Sequence, residues 1–574
     1  MASDTVFNRN ERVTAGKAKP KTNVDDHSVQ VEECDLLLTP SASLDERELN
    51  KGEEESEEAN RLRAYGTLDK DGDEERAIQK RPSLSRRLSE GVSRELVRRR
   101  SSIQENLPKT PSGWAFFLSS IATAILGYEV RLQSSLTCPP LVFGQTNDGP
   151  LKPIYDRLTR TKDAILARNI QPSLFVGTRS VLTSTAAYIM GGPPSTDDHI
   201  RFRQVLTMNQ DGATIALDWE LPPPHSDAKS AEERKEQVLN GPIQQPVILI
   251  LHGINNDSSF GYVKSLQRTC SNRGWIAVGM NFRGCGGAPV TTPRGYTGAY
   301  TGDIRGVVQS ISARLEEGVS LFLVGNSLGG NLITKYLGEE GLSGTLPKCV
   351  AGGISLGNPL HIHSRNISFP WGHMLSLGAR KGVLQNLRSF LPMMKSSEQF
   401  RNATGKALVA STIGEFDEAM APIFIRNEQT YPFSVKIGYE DGEGYWHDAS
   451  SYRVIRHVPV PLLLLTSQDD FLVYKGSTGK MSYSVSNPNV MVVKTKCGGH
   501  LGWHESPPDT GNVFGFGTSW ADTATADFIE AVLYSRSSQT LNGDHSWLGT
   551  KYKGHKKVEA AAEAFDPPLL RAKL

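Results

Sequence analysis

The stretch from Leu321 to Asn331 constrains the fold of this chain more than any other. It reads Leu-Phe-Leu-Val-Gly-Asn-Ser-Leu-Gly-Gly-Asn, an apolar run that ends in the pattern Gly-x-Ser-x-Gly around Ser327. A helix-like run continues to Glu340. A serine between two glycines, at a sharp turn from a buried strand into a helix, has its hydroxyl exposed for reaction. The pattern therefore predicts a strand, a tight turn and a helix, with Ser327 as a candidate nucleophile.

Apolar runs alternate with helix-like segments around this turn, which is typical of an α/β sheet. The predicted strands are 246–253, 274–280, 321–324, 349–356, 460–465 and 489–495. The predicted helices are 262–272, 303–317 and 520–535. Continuous apolar runs indicate strands buried on both faces, as in parallel sheets. Asp211-Gly212, between β-rich runs within 201–220, predicts an antiparallel hairpin at the start of the sheet. The polar segment 222–245 is predicted to be a loop.

The first 108 residues are rich in charge and poor in aromatic side chains, with an acidic stretch followed by a basic one. Such composition does not bury enough apolar surface to offset chain entropy, so we expect a disordered region, 1–108. Ser83, Ser89 and Ser101 follow basic residues and resemble sites for basophilic kinases. The net charge of +1 gives no argument for nucleic-acid binding. Residues 536–574 are interpreted as a C-terminal tail.

An uncharged apolar segment, residues 111–128, follows the basic stretch. A helix of this length reaches about 27 Å, slightly short of a ~30 Å hydrocarbon core. The preceding cations favour contact with anionic lipid head groups. We expect a membrane-anchor helix here, and the alternative is a helix docked on the catalytic domain.

A serine hydroxyl needs a base and an orienting acid, which follow it in the order acid, then histidine, in this kind of sheet. The strand 460–465 leads into Asp469 and Asp470. We choose Asp470 as the acid, with Asp469 as the alternative. The strand 489–495 leads into a Gly-Gly-His-x-Gly sequence, which favours His500 as the base over His504.

When a serine attacks a carbonyl carbon, the carbonyl oxygen becomes negative, and two backbone N–H groups should stabilise this oxyanion. The N–H of Leu328 follows the nucleophile directly, and Ile254 lies in the loop after His252-Gly253. His252 and Asp257 also match the spacing of an acyltransferase motif. No pair of the six cysteines has the C-x-x-C spacing of a metal or redox site, so neither a cofactor nor a metal is expected.

About one hundred residues separate the strand ending at Leu356 from the strand starting at Val460. We interpret 357–455 as a lid insertion. Its apolar segments either line an acyl pocket or form the core of the lid itself.

Several short sequences in combination resemble the AB hydrolase-4 family, the embryogenesis-associated-protein-like branch of the α/β-hydrolase superfamily. They are Asp211-Gly212, Leu217-Asp218-Trp219, His252-Gly253, Asn281-Phe282-Arg283-Gly284, Gly325 to Asn331, Glu415-Phe416-Asp417, Gly438-Tyr439 with Tyr445, Asp469-Asp470 and Gly498 to Gly502. The resemblance covers about 170–535, the expected catalytic domain. It implies an α/β-hydrolase fold with a triad of Ser327, Asp470 and His500. Phe471 departs from the family, in which many members have proline.

The resemblance also implies a membrane-associated serine hydrolase of acyl lipid esters, such as monoacylglycerols, phospholipids or medium-chain esters. The alternatives are an acyltransferase that passes the acyl group to an alcohol and a catalytically silent scaffold. We expect an association with the endoplasmic reticulum or another internal membrane.

Overall fold

A computed structural model describes residues 110–541, except 191–198, 224–229, 289, 429–430 and 507–518. The predictions for residues 1–108, including the kinase sites, lie outside these ranges. So does most of the predicted tail 536–574, but residues 536–541 continue the last helix, Trp520–Leu541. The strands within them are β1 (Leu141–Phe143), β2 (Arg201–Thr207), β3 (Thr214–Glu220), β4 (Val247–Leu251), β5 (Ile276–Asn281), β6 (Leu321–Asn326), β7 (Val350–Leu356), β8 (Ile425–Asn427), β9 (Val435–Ile437), β10 (Leu462–Ser467) and β11 (Val490–Thr495).

Helices connect and cover the strands. The α-helices of the described ranges are α1 (Pro111–Leu136), α2 (Lys152–Thr159), α3 (Ser180–Ile189), α4 (Ala231–Asn240), α5 (Gly261–Asn272), α6 (Gly302–Ser312), α7 (Leu328–Ser343), α8 (Trp371–Gln385), α9 (Leu387–Ser396), α10 (Glu398–Val409), α11 (Ile413–Met420), α12 (Gly442–Ala449), α13 (Tyr474–Val485) and α14 (Trp520–Leu541).

Nine of the described strands form one sheet in the order β1-β11-β10-β7-β6-β4-β5-β3-β2. The strands from β11 to β5 run parallel, and β2 and β3 form the antiparallel hairpin at one edge. The fold is therefore an α/β-hydrolase fold with a mostly parallel sheet, as predicted. The other edge strand, β1, pairs antiparallel with β11 and was not predicted.

The burial of the strands follows from their sequences. Every residue of β4, β6, β7, β10 and β11 is buried, because helices cover both faces of the parallel strands. Exposure alternates along the edge strand β2. The two faces belong to two separate apolar clusters, and one of them includes Leu151 and Ile154, which precede the expected domain start at residue 170.

The prediction of a loop over 222–245 is wrong in part, because α4 lies within it. The Ser230 hydroxyl accepts from the Glu233 N–H, and the Glu233 carboxylate accepts from the Ser230 N–H. This capping box satisfies two backbone donors at the start of a helix. The Ser-x-x-Glu sequence was the signal for it.

The segment 357–455 forms a helical layer of its own. Its apolar core includes Phe400, Phe416 and Trp446. The helices α8 to α11 contact one another, and β8 and β9 form a small antiparallel ribbon beside them. This layer, 357–455, is called the lid below.

Helix α1 is longer than the predicted segment 111–128 and has two different parts. Its first part exposes large apolar side chains, among them Phe116 at 77%. Its last part is docked, since Glu129 is buried in an ion pair with Arg179 and the Gln133 amide donates to the Pro172 carbonyl. By length and composition, 114–136 is also suited to crossing a membrane.

Candidate active site

Ser327 lies at the turn between β6 and α7 with φ 54° and ψ −116°. This left-handed conformation is strained for a residue with a side chain. A Cβ at Gly325 would lie 2.2 Å from the Gly329 oxygen, and a Cβ at Gly329 would lie 2.5 Å from the His252 oxygen. Both glycines are therefore required by the close approach of backbone to backbone. The Ser327 N–H donates to the Leu356 oxygen at 2.7 Å and fixes the turn on the neighbouring strand.

The loop after β11 brings His500 to this turn. Gly498 and Gly499 have φ values of 147° and 56°, which disfavour any residue with a side chain. The His500 N–H donates to the Ser184 hydroxyl at 2.8 Å. The Nε2 atom of the imidazole lies 2.9 Å from Ser327 Oγ.

Asp470 lies against the other nitrogen of His500, with Oδ2 2.9 Å from Nδ1. Its Oδ1 accepts the N–H groups of Leu472 and Val473 at 2.9 and 3.0 Å. Because a carboxylate accepts, Nδ1 carries the proton and Nε2 is free to accept from the serine hydroxyl. The structure thus brings the three predicted residues, Ser327, Asp470 and His500, into one hydrogen-bonded row.

Asp469 has a different partner. Its Oδ1 accepts the Gly499 N–H at 2.8 Å, so it braces the histidine loop rather than the imidazole. Burial is the main reason that the pKa of this carboxyl is raised. The two adjacent aspartates therefore divide two positioning tasks, a distinction that the sequence left open.

His504 is held away from Ser327. Its Nδ1 lies 2.9 Å from Thr183 Oγ1, and burial lowers its pKa to about 4. The geometry of the described residues thus favours His500 over His504 as the partner of the serine.

The loop 253–256 is clamped by two tyrosine hydroxyls that sequence reasoning did not identify. Tyr262 Oη accepts the Gly253 N–H at 2.9 Å, and Tyr296 Oη accepts the Asn255 N–H at 2.9 Å. Within the described residues, the N–H of Ile254 between them has no acceptor. The N–H groups on either side have acceptors, so the Ile254 N–H is the donor in this stretch that a ligand can use.

The second predicted donor, Leu328, is the first residue of α7. The first four N–H groups of a helix have no partner within the helix. Ile254, Leu328 and Ser327 all line the same cavity. A Cβ at Gly253 would lie 3.3 Å from Ser327 Cβ, so the loop runs directly beside the serine.

His252 is fully buried beneath this loop. Its Nε2 accepts the Phe282 N–H at 3.1 Å, so its Nδ1 donates to the Gly253 oxygen at 2.7 Å. Burial lowers its pKa to about 4. Asp257 accepts the Ser259 N–H at 2.8 Å. Both residues of the His-x4-Asp spacing therefore have local structural partners, and the imidazole has no nitrogen left to act as a base.

A cavity of about 770 Å³ opens above Ser327, within the size range of small-molecule sites. Apolar residues of the lid line much of it, including Leu375, Phe390 and Phe424. The Asp417 carboxyl also lines it, accepting the Trp446 indole N–H at 3.0 Å. Burial raises the pKa of Asp417 to about 7. Asp417 belongs to the family-like sequence Glu415-Phe416-Asp417, but the sequence alone predicted no role for it.

The nucleophile turn, the histidine loop and the parallel sheet define the class of protein, an α/β hydrolase. The family model described as alpha/beta hydrolase fold matches residues 246–507. This match and the relatives described next are consistent with the AB hydrolase-4 family.

Three relatives illustrate this placement. Embryogenesis-associated protein EMB8 of Picea glauca is 28% identical over 410 residues, 70% of this chain and 81% of that protein. Monoacylglycerol lipase of Saccharomyces cerevisiae is 30% identical over 272 residues, 46% of this chain and 56% of that protein. Phospholipase ABHD3 of Mus musculus is 25% identical over 402 residues, 68% of this chain and 86% of that protein.

Proposed function

We propose that this protein is a serine hydrolase that cleaves carboxylic esters of acyl lipids through an acyl-enzyme on Ser327. The observation that carries the proposal is the row Ser327 Oγ, His500 and Asp470, with 2.9 Å at each contact, at the floor of an apolar-lined cavity. The names of the relatives, a monoacylglycerol lipase and a phospholipase, support the substrate class.

In the proposed reaction, Ser327 Oγ attacks the ester carbonyl carbon while His500 Nε2 takes the hydroxyl proton. Asp470 stabilises the imidazolium that forms. The N–H groups of Ile254 and Leu328 stabilise the negative oxygen of the tetrahedral intermediate, and losing one such donor typically slows a reaction ~10²–10³-fold. The alcohol leaves with the proton from His500. Water then attacks the acyl-enzyme while His500 accepts a proton from it, and His500 returns this proton to Ser327 Oγ as the free fatty acid departs.

A panel of monoacylglycerol, phospholipid and medium-chain ester tests this proposal with purified full-length protein. We expect release of free fatty acid from at least one lipid class, and loss of that release in Ser327→Ala. Release that is equal in the two proteins, or absent from the wild type with every ester, would reject the hydrolase proposal and favour the silent scaffold.

Acyl transfer to an alcohol is the second candidate, since a relative 27% identical over 313 residues is named medium-chain fatty acid ethyl ester synthase/esterase 2. It uses the same acyl-enzyme, with an alcohol in place of water, and gives no role to His252. Adding ethanol to the assay separates the two: transfer produces ethyl ester, and hydrolysis continues to produce only acid.

We also propose that residues 111–128 associate with a membrane. The exposed apolar surface of this part of α1 supports the proposal, and so does the length of the apolar stretch. In high salt, which screens attraction between exposed cations and lipid head groups, deleting residues 1–128 should move the protein from the membrane pellet to the soluble fraction. Continued sedimentation of the deleted protein with membranes would contradict an anchor at 111–128.

A further inference from the structure

Helix α8 of the lid has two apolar faces. One face points inward, and Leu375, Gly378 and Val383 line the cavity above Ser327. The other face points outward, and Met374 and Leu377 are 57% and 61% exposed. A helix in a lid that only sealed the site would expose polar residues on its outer face.

The exposed apolar surface extends beyond this helix. Large side chains at both ends of α8 and on α9 are exposed as well. They are Phe369, Leu384 and Leu391. Contiguous exposed apolar side chains on a protein surface commonly mark an interaction site.

Positive charge surrounds these apolar residues. The three helices α8, α9 and α10 (residues 371–409) contain six lysines and arginines and a single acid, Glu398. Lys381, Arg388, Lys395, Arg401 and Lys406 are exposed. In the part of the chain that the structure describes, none of these five cations forms an ion pair. The positive charge is a property of these three helices, because the lid as a whole (357–455) has ten lysines and arginines against nine acids.

We propose that the outer surface of α8–α10 binds an anionic lipid bilayer, with the apolar side chains of α8 and α9 inserted at the level of the head groups. Exposed apolar residues bordered by cations are the combination that interfacial helices use on anionic membranes. A second copy of this chain, paired through the same helices, would bring like charges together, because these helices contain a single acid, Glu398. The effect of this binding on catalysis rests on the proposed function, and the binding itself does not.

Binding through this surface would leave only helix α8 between the bilayer and the catalytic cavity. The inner face of α8 lines the cavity, and the Leu375 carbonyl accepts from the Asn255 side-chain amide at 2.9 Å. Asn255 directly follows Ile254, the proposed oxyanion donor. A lid held on the bilayer is therefore connected by one hydrogen bond to the loop that stabilises the intermediate.

The test uses full-length protein with Arg388→Gln, Lys395→Gln and Arg401→Gln combined, three cations that do not line the cavity. The control is Arg160→Gln with Lys162→Gln, which removes two exposed cations after α2 against the three removed from the lid. Partition into phosphatidylcholine vesicles is measured by flotation with and without phosphatidylglycerol, because the uncharged segment 111–128 contributes to both. We expect the strengthening of partition by phosphatidylglycerol to be roughly 100-fold smaller in the lid variant than in the wild type, at about fivefold for each charge near an anionic surface, and the control to behave as wild type.

Activity separates this proposal from the proposed function. The lid variant should lose activity on lipid ester presented in these vesicles and keep its activity on a short water-soluble ester. Wild-type protein inactive on both esters would reject the hydrolase proposal alone, because flotation still decides the lid proposal. Equal flotation of the lid variant and the wild type would overturn the lid proposal. So would a lid variant that floats normally but changes from dimer to monomer, which would assign this surface to a second copy.

Discussion

Asp470 and Asp417 are both inward-facing carboxylates, yet their surroundings differ. Asp470 lies where the parallel strands have their carboxyl ends, called the sheet edge below, and Asp417 lies in the lid. Asp470 contacts His500 Nδ1 and two backbone N–H groups. Within the described residues, Asp417 has one side-chain donor, the Trp446 indole, and burial raises its pKa to about 7. At the sheet edge, three hydrogen bonds restrict the position of the Asp470 carboxylate. The lid is held together by apolar packing, which adapts more easily to a variable ligand.

The largest effect should come from the polar network at the sheet edge. Asp470→Asn should lower kcat roughly 10⁴-fold, because the amide no longer holds the imidazole in the tautomer that accepts from Ser327. Asp469→Asn changes only the brace on the Gly499 N–H, so we expect at least a tenfold smaller loss. Steady-state kinetics on a soluble ester measure both. Equal losses in the two variants would show that the sheet edge does not divide its tasks between the two aspartates.

A smaller effect should follow from loosening the oxyanion loop. Tyr262→Phe removes the acceptor of the Gly253 N–H and should lower kcat about tenfold while leaving KM nearly unchanged. This is less than the ~10²–10³ expected for losing a direct oxyanion donor. Tyr483→Phe, a partly exposed ring far from this loop, is the matched control. A rise in KM at constant kcat would mean that Tyr262 supports substrate binding instead.

The third effect concerns the lid and is one of stability rather than of kcat. Unfolded Asp417 ionises near pH 4, and the folded residue ionises near pH 7. Between these values ionisation favours the unfolded state, so the contribution of Asp417 makes the wild type less stable as pH rises and then levels off. Asp417→Asn should therefore gain stability relative to wild type from pH 4 to pH 7, on the order of 1 kcal/mol for each unit of raised pKa.

Urea unfolding at pH 5 and pH 8 measures this difference. Glu398→Gln, an exposed lid acid, serves as the control and should behave as wild type at both values. A stability difference between Asp417→Asn and wild type that does not change with pH would contradict the account of a neutral carboxyl in the lid.

The sequence was most informative where chemistry demands particular residues at particular turns. The glycines around Ser327 and before His500 reveal loops that no other residue fits, and the chain order then indicates the acid. The sequence distinguished Asp470 from Asp469 less securely, because the directions of two adjacent side chains are set only when the loop folds.

Other features depended on contacts between distant parts of the chain. Tyr296 reaches the Asn255 N–H across forty-one residues, and no local pattern marks such a pair. Strand β1 has three residues and exists because β11 offers it a free edge. Helix α4 was missed for a different reason, since polar composition outweighed the capping signal at Ser230 and Glu233.

Fluorophosphonate labelling of the full-length protein, followed by peptide mapping, tests most directly whether Ser327 is the nucleophile at this sheet edge. We expect a single adduct on the peptide that contains Ser327 and no adduct in Ser327→Ala. His500→Ala should be labelled much more slowly, because the hydroxyl then lacks its base. An unlabelled wild type, or equal labelling of wild type and Ser327→Ala, would contradict the assignment.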